Sequence, residues 1–307
     1  MSDAIVMEGL TKYYGARRVV DSVSLRIPAG SIYGFLGRNG AGKSTVIKML
    51  LGMVHPDAGS ARVLGDDSQS LSAGTRAKVA YLAEGHPLYR WMNVAEAASF
   101  TRGFYPRWDD RFLAVALDHF GISCRAKIAR LSNGQRAQVS LALALAPDPQ
   151  LLILDDPTLG IDTVVRRDFL ESMVHLIQRS GRTILFSSHI LGDVERVADR
   201  IGILVDGVLR VDCPADRFTA ALKRVVLEFV GEVPRFPDCE GLVSQRQIGS
   251  KLELVTVNYG PQQAALAESL GAVHVDVMDM NLEDAFIAYT RGEMRPLPEL
   301  QSERAPC

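Results

Sequence analysis

Three features of the 307-residue sequence predict an α/β fold built on a parallel sheet. The apolar run Ile32-Tyr33-Gly34-Phe35-Leu36 leads into a glycine-rich stretch, residues 37–45, and a helical pattern from Val46 to Leu51 follows, stopping at Gly52. Two further apolar runs, residues 150–156 and 183–189, end in polar residues, as buried parallel strands do when their carboxyl ends carry chemistry. Residues 4–28 alternate apolar and polar instead, which predicts antiparallel strands ahead of the glycine-rich stretch.

That stretch reads Gly37-Arg38-Asn39-Gly40-Ala41-Gly42-Lys43-Ser44-Thr45, with the spacing, lysine and hydroxyl that wrapping a chain of phosphates requires. Gly37, Gly40 and Gly42 let the backbone turn its N–H groups inward, and the helix N-terminus adds partial positive charge where phosphates would sit. Lys43 is then expected to reach the β- and γ-phosphates and Ser44 to ligate Mg²⁺.

Composition narrows the class. With 47% hydrophobic and 23% charged residues the chain is an ordinary globular one, long enough for about two domains. Its net charge of -2 recommends neither nucleic acid nor anionic lipid as a partner. The start Met1-Ser2-Asp3-Ala4 lacks the segments of a secretory signal, and no run approaches the roughly 20 apolar residues that cross a bilayer. Cys124, Cys213, Cys239 and Cys307 are scattered, with no zinc or disulfide pattern, so a reducing cytoplasm is expected.

Along the chain, Tyr14 follows Lys12-Tyr13 beside the turn residue Gly15; it has a flat face for an adenine ring, or it is a half-buried strand tyrosine. A turn-rich stretch from Asp57 leads to the strand-like Val79-Ala80-Tyr81-Leu82, and a polar loop runs from Glu84 to Arg90. Residues 93–146 read as mostly helical, interrupted by Leu131-Ser132-Asn133-Gly134-Gln135-Arg136, where Ser132 is a helix cap and Gly134 leaves the backbone open to an anion. Asp155 and Asp156 close an apolar strand. The first is placed for a magnesium shell, the second for a water near the γ-phosphate. His189, closing the next strand, is placed to donate to that phosphate.

With these pieces in this order, residues 4 to about 212 resemble the ATP-binding cassette of ABC transporters, and Asn281 to Tyr289 is similar to the closing helix of its export-type branch. Gly37 to Thr45 is similar to the Walker A loop, Leu131 to Gln135 to the signature loop and Leu151 to Asp156 to the Walker B strand. Leu159-Gly160-Ile161-Asp162 resembles the D-loop, His189 the switch histidine and Tyr14 the adenine-stacking aromatic. The resemblance implies a P-loop fold with a RecA-like parallel core, an antiparallel β subdomain and a helical signature subdomain at about 86–148. It also implies ATP and Mg²⁺ as cofactors. Two cassettes would close head to tail, each ATP lying between one Walker A loop and the facing Ser132, Asn133, Gly134 and Gln135, with Asp162 at the contact.

Three positions depart from the family pattern. Asn133 replaces a glycine, Glu84 stands where a glutamine usually touches Mg²⁺ and the attacking water, and Asp156 replaces the catalytic glutamate. Shortening that carboxylate by a methylene withdraws it by on the order of 1 Å, a displacement that can cost about 10²-fold in rate, so either slow hydrolysis in isolation or a bound water bridging the gap is expected. The largely intact signature favours a homodimer over pairing with a different cassette. Membrane subunits encoded separately are the expected partners, met by Glu84 to Asn93 and the helical segment after it, where Tyr89 and Trp91 are apolar anchors or core residues. The subunit would then lie on the inner face of the cell membrane.

A second reading, a soluble ABC-type ATPase acting on a ribosome, nucleic acid or protein assembly, is opposed by one phosphate loop, no sustained heptads and near-neutral charge. Beyond the cassette, expected over 1–214, strand-like runs at 225–230, 252–257 and 272–277 and a helix at 262–270 predict a small α/β domain over 215–292. Residues 293–307 are expected to form a mobile tail.

Overall fold

In a computed structural model the chain is described over residues 2–162, 165–167, 169–171, 181–195, 197–291 and 300–301. It divides into two compact units between Leu209 and Arg210, a few residues before the boundary expected at 214.

The first unit opens with an antiparallel sheet. Strands β1 (Asp3–Tyr14) and β2 (Arg17–Pro28) pair antiparallel, and β4 (Ala58–Val63) and the short β5 (Asp66–Asp67) extend the sheet in the order β2-β1-β4-β5. The alternation over residues 4–28 thus does what period two dictates: Ile5, Met7, Val23, Leu25 and Ile27 face the core while Glu8 and Arg26 face water and pair with each other.

The parallel strands run in the order β9 (Arg200–Val205), β3 (Ile32–Leu36), β8 (Thr183–Ser188), β7 (Leu151–Asp155) and β6 (Val79–Leu82). Strands β7 and β8 are buried at every position, which explains their unbroken apolar sequences. Helix α1 (Lys43–Leu50) follows β3 and inserts Val46, Ile47, Met49 and Leu50 into one core with Phe35, Ile153, Leu185 and Leu204. A one-turn helix, α2 (Ala73–Arg76), precedes β6.

Three helices form a separate core: α3 (Val94–Arg102), α4 (Asp110–His119) and α5 (Asn133–Leu145) bury Val94, Leu113, Leu117, Val139 and Leu143 together. They account for the helical periodicity of residues 93–146, and each opens on a side-chain cap, Asn93, Asp109 and Ser132.

After β9, Asp206 and Gly207 both take positive φ, 48° and 84°, in the two-residue turn that leads to β10 (Val208–Pro214). In the second unit an antiparallel sheet runs in the order β12 (Leu242–Ile248), β13 (Lys251–Val257), β11 (Leu222–Glu228) and β14 (His274–Asp279). Val225, Leu227, Phe236 and Leu254 pack there against Ala267 of the helix Pro261–Ser269. Strand β12 does not stand out in the sequence: Ser244, Gln245, Arg246 and Gln247 follow its two buried positions, because it is an edge strand with little to bury. Of the tail expected at 293–307, Leu300–Gln301 pair parallel with Val211 and Asp212, and the rest lies outside the described residues.

Candidate functional site

Sheet register places the site. Leu36 lies opposite Ser188, Asp155 opposite Ser187, and Leu82 opposite Leu154, so the carboxyl ends of β3, β8, β7 and β6 lie along one edge. The residues that follow each strand, Gly37, His189, Asp156 and Glu84, therefore emerge on the same side, where ligands bind in open parallel sheets.

Between β3 and α1 the chain makes a tight loop, with the Ala41 N–H donating to the Arg38 carbonyl at 3.1 Å. Gly42 has φ 107°, and a Cβ there would lie 2.6 Å from the Val19 carbonyl oxygen, so only glycine fits. The same Val19 follows the hairpin that carries Tyr14, which is 51% exposed with Lys12 Nζ 5.8 Å from its ring centroid. Tyr14 thus stands at the end of β1 with about half of its surface open to solvent.

Lys43 is buried. Its Nζ donates to the carbonyls of Gly37 at 2.7 Å and Arg38 at 3.3 Å, inside the loop it would serve. Burial pushes its pKa down, against the pull of Asp156, Asp155 and Glu84, whose charges favour the ammonium. Glu84 is exposed, two residues beyond Leu82 at the end of β6. Together with desolvation, Asp155 and Glu84 push Tyr81 up to about 12. Arg38, Asn39 and Gly40 are exposed, and Thr45 is partly buried.

A chain of hydrogen bonds crosses the strand ends. Ser44 Oγ donates to Asp155 Oδ1 at 3.1 Å, Ser187 Oγ donates to the same oxygen at 2.7 Å, and the Asp156 N–H donates to Ser187 Oγ at 2.9 Å. Asp156 Oδ2 lies 2.6 Å from His189 Nδ1. Its other oxygen, Oδ1, is buried with no hydrogen-bond partner among the described residues. Ser187 is a member of the site that the sequence reading passed over, although it lies inside the polar end of the run 183–189 from which His189 is identified.

The donor set fits Mg²⁺. Among the described residues no group of three or more His, Cys, Asp or Glu could hold a metal by itself. One hydroxyl and one carboxylate, Ser44 and Asp155, suit an ion that keeps waters and takes phosphate oxygens.

On α5, Ser132 and Gln135 form a reciprocal capping box, each side chain bonded to the other's backbone N–H. Gly134 is not open, contrary to the sequence reading. It is buried, and a Cβ there would lie 2.4 Å from Val165 Cγ1. Asn133 Nδ2 donates to the Gly160 carbonyl at 3.2 Å, and Asp162 Oδ1 accepts from the Val165 N–H at 3.1 Å. A second polar group lies close by: buried Asp193 accepts from Thr158 Oγ1 at 2.8 Å and pairs with Arg166 at 3.4 Å, its pKa raised by desolvation.

Comparison with known proteins gives this geometry a context. Residues 20–159 match the model of the ABC transporter family. The chain is 33% identical over 303 residues to Nod factor export ATP-binding protein I of Neorhizobium galegae, covering 95% of this chain and 86% of the relative. The chain belongs to the ABC transporter family of ATP-binding proteins.

Bacitracin transport ATP-binding protein BcrA of Bacillus licheniformis is 32% identical over 231 residues, 75% of each chain. Among solved structures, an ATP-binding subunit of an ABC transporter matches with TM-score 0.64 and 27% identity, covering 71% of this chain and 92% of that one. A dimeric post-hydrolysis cassette bound to ADP and Pi shares the fold, with TM-score 0.61 and 21% identity over 68% of this chain and 98% of that one. The cassette is an ATP-binding, ATP-hydrolysing subunit of the export-type branch. No described helix is long and apolar enough to cross a membrane.

Proposed function

We propose that this cassette is the motor of an exporter, peripheral on the cytoplasmic face of the membrane, in which two copies close head to tail around ATP. The observation that carries the reading is the Asp156 carboxylate, with one oxygen bonded to His189 and the other buried with no hydrogen-bond partner among the described residues, near enough to Lys43 for its charge to favour the ammonium.

The division of labour follows from position. The Gly37–Thr45 loop would bind the phosphates, Tyr14 would stack on the adenine, and Ser44, Asp155 and Glu84 would surround Mg²⁺. Bound there, Mg²⁺ neutralises charge on phosphate oxygens. The 2.6 Å contact with His189 Nδ1 fixes the Asp156 carboxylate and leaves Oδ1 as the oxygen that would act as base once dimer closure brings a water to it. Ser132 and Gln135, with Asn133, Gly134 and Asp162 beside them, would meet the partner's nucleotide. One chain holds both half-sites, which favours a homodimer.

Export is supported by the relatives' names, Nod factor export in one case and bacitracin transport in the other. Contact with the membrane subunits would fall on the exposed rings of Tyr89, Trp91, Phe100 and Phe104. They form a continuous series with centroids 5.2 to 5.9 Å apart.

Equilibrium ATP binding and steady-state phosphate release test the assignment. Lys43→Ala is expected to lose nucleotide affinity. Asp156→Asn should keep it, lower release by about 10²-fold or more, and accumulate an ATP-bound dimer visible by light scattering. Undiminished release by Asp156→Asn would remove Asp156 as the base. A pull-down from solubilised membranes with Mg-ATP should recover a multispanning protein.

A further inference from the structure

We propose that Asn133 is a positioning residue whose amide latches the loop ahead of α5 to the Leu159–Asp162 loop of the same chain, so that both move as one body. The inference rests on the head-to-tail dimer reading, in which those two loops face the partner subunit.

Both ends of the amide are engaged. Nδ2 donates to the Gly160 carbonyl at 3.2 Å, while Oδ1 accepts from Arg136 Nη2. Arg136 is itself anchored, its Nη1 donating to the Leu131 carbonyl at 2.7 Å. The guanidinium therefore orients the amide, and the amide holds the Gly160 carbonyl. Beneath this polar tie lies an apolar floor, where Gly134 packs against Val165 and Ile161.

The held segment is short and connected to the chemistry. Leu159 N–H donates to the Asp156 carbonyl at 3.1 Å and Ile161 N–H to the Thr158 carbonyl at 3.2 Å, so the latched turn begins at the candidate base. A glycine at position 133 would keep the apolar floor and lose the tie. Asn133 is thus the means by which displacement of the loop ahead of α5 by a partner's nucleotide is passed to the turn that starts at Asp156.

Two variants separate the parts. Asn133→Asp keeps an acceptor for Arg136 and loses the donor to Gly160; Asn133→Gly removes both. Amide hydrogen exchange at Leu159 and Ile161, measured on the nucleotide-free protein, should quicken by about two- to tenfold in both variants, the range one hydrogen bond supplies. The Hill coefficient of phosphate release against ATP should also fall towards one while wild-type release is cooperative. Unchanged exchange in both variants overturns the latch. Faster exchange with an unchanged Hill coefficient overturns the positioning role. Because the exchange is read without nucleotide, it is independent of dimerisation, and failure of the wild type to dimerise with ATP would count against the dimer reading alone.

Discussion

His86 and Asp156 both hold left-handed backbone conformations, φ 51° and 45°, that residues with side chains seldom adopt. The burial of His86 pushes its pKa down to about 4, with the Arg136 guanidinium acting in the same direction and the Pro157 carbonyl against it. Folding therefore requires a neutral ring. The contribution to stability is fully present above pH 6.5, the ordinary value, and is lost as pH falls towards 4, by roughly 3 kcal/mol once the ring is charged. Asp193, with its pKa raised, gives an opposing slope, so the readout is a comparison. Denaturant unfolding of a His86→Gln variant should show a flatter pH dependence between 6.5 and 4 than the wild type, and parallel curves would refute the assignment. None of this is legible in the sequence, where His86 is one polar residue in a polar loop.

At the scale of elements, the start of α5 shows what pattern can and cannot reveal. The cap at Ser132 is readable because capping is local, a hydroxyl three residues before Gln135. The packing of Gly134 is not, because Val165 lies far along the chain. Gly134→Ala would force a Cβ to within 2.4 Å of a branched side chain that cannot swing aside. We expect a loss of about 1–3 kcal/mol, checked by thermal melting; an unchanged melting temperature would mean that α5 shifts freely. The parallel strands are legible for the reason that β12 is not. Burial on both faces writes a continuous apolar run, while an edge strand leaves only a mixture of Gln, Arg and Ser.

Over the whole molecule, near-neutral charge leaves shape and apolar surface to specify partners. Tyr89 is 54% exposed and Trp91 70%, which excludes the core reading for both rings. Trp91→Ala removes an outward-facing ring, so the melting temperature should move little while recovery of the membrane protein in the pull-down falls by about tenfold or more. Equal recovery would place the contact elsewhere. The ladder of Tyr89, Trp91, Phe100 and Phe104 also bears on how the subunit must be made. A copy synthesised in excess of its membrane counterpart leaves four rings wetted, and wetted rings adhere to one another and to chaperones. If the rings are the membrane contact proposed above, matched production of the two gene products would favour colloidal stability. Overproduction of the cassette alone should give assemblies that grow with its concentration and disperse when the counterpart is supplied.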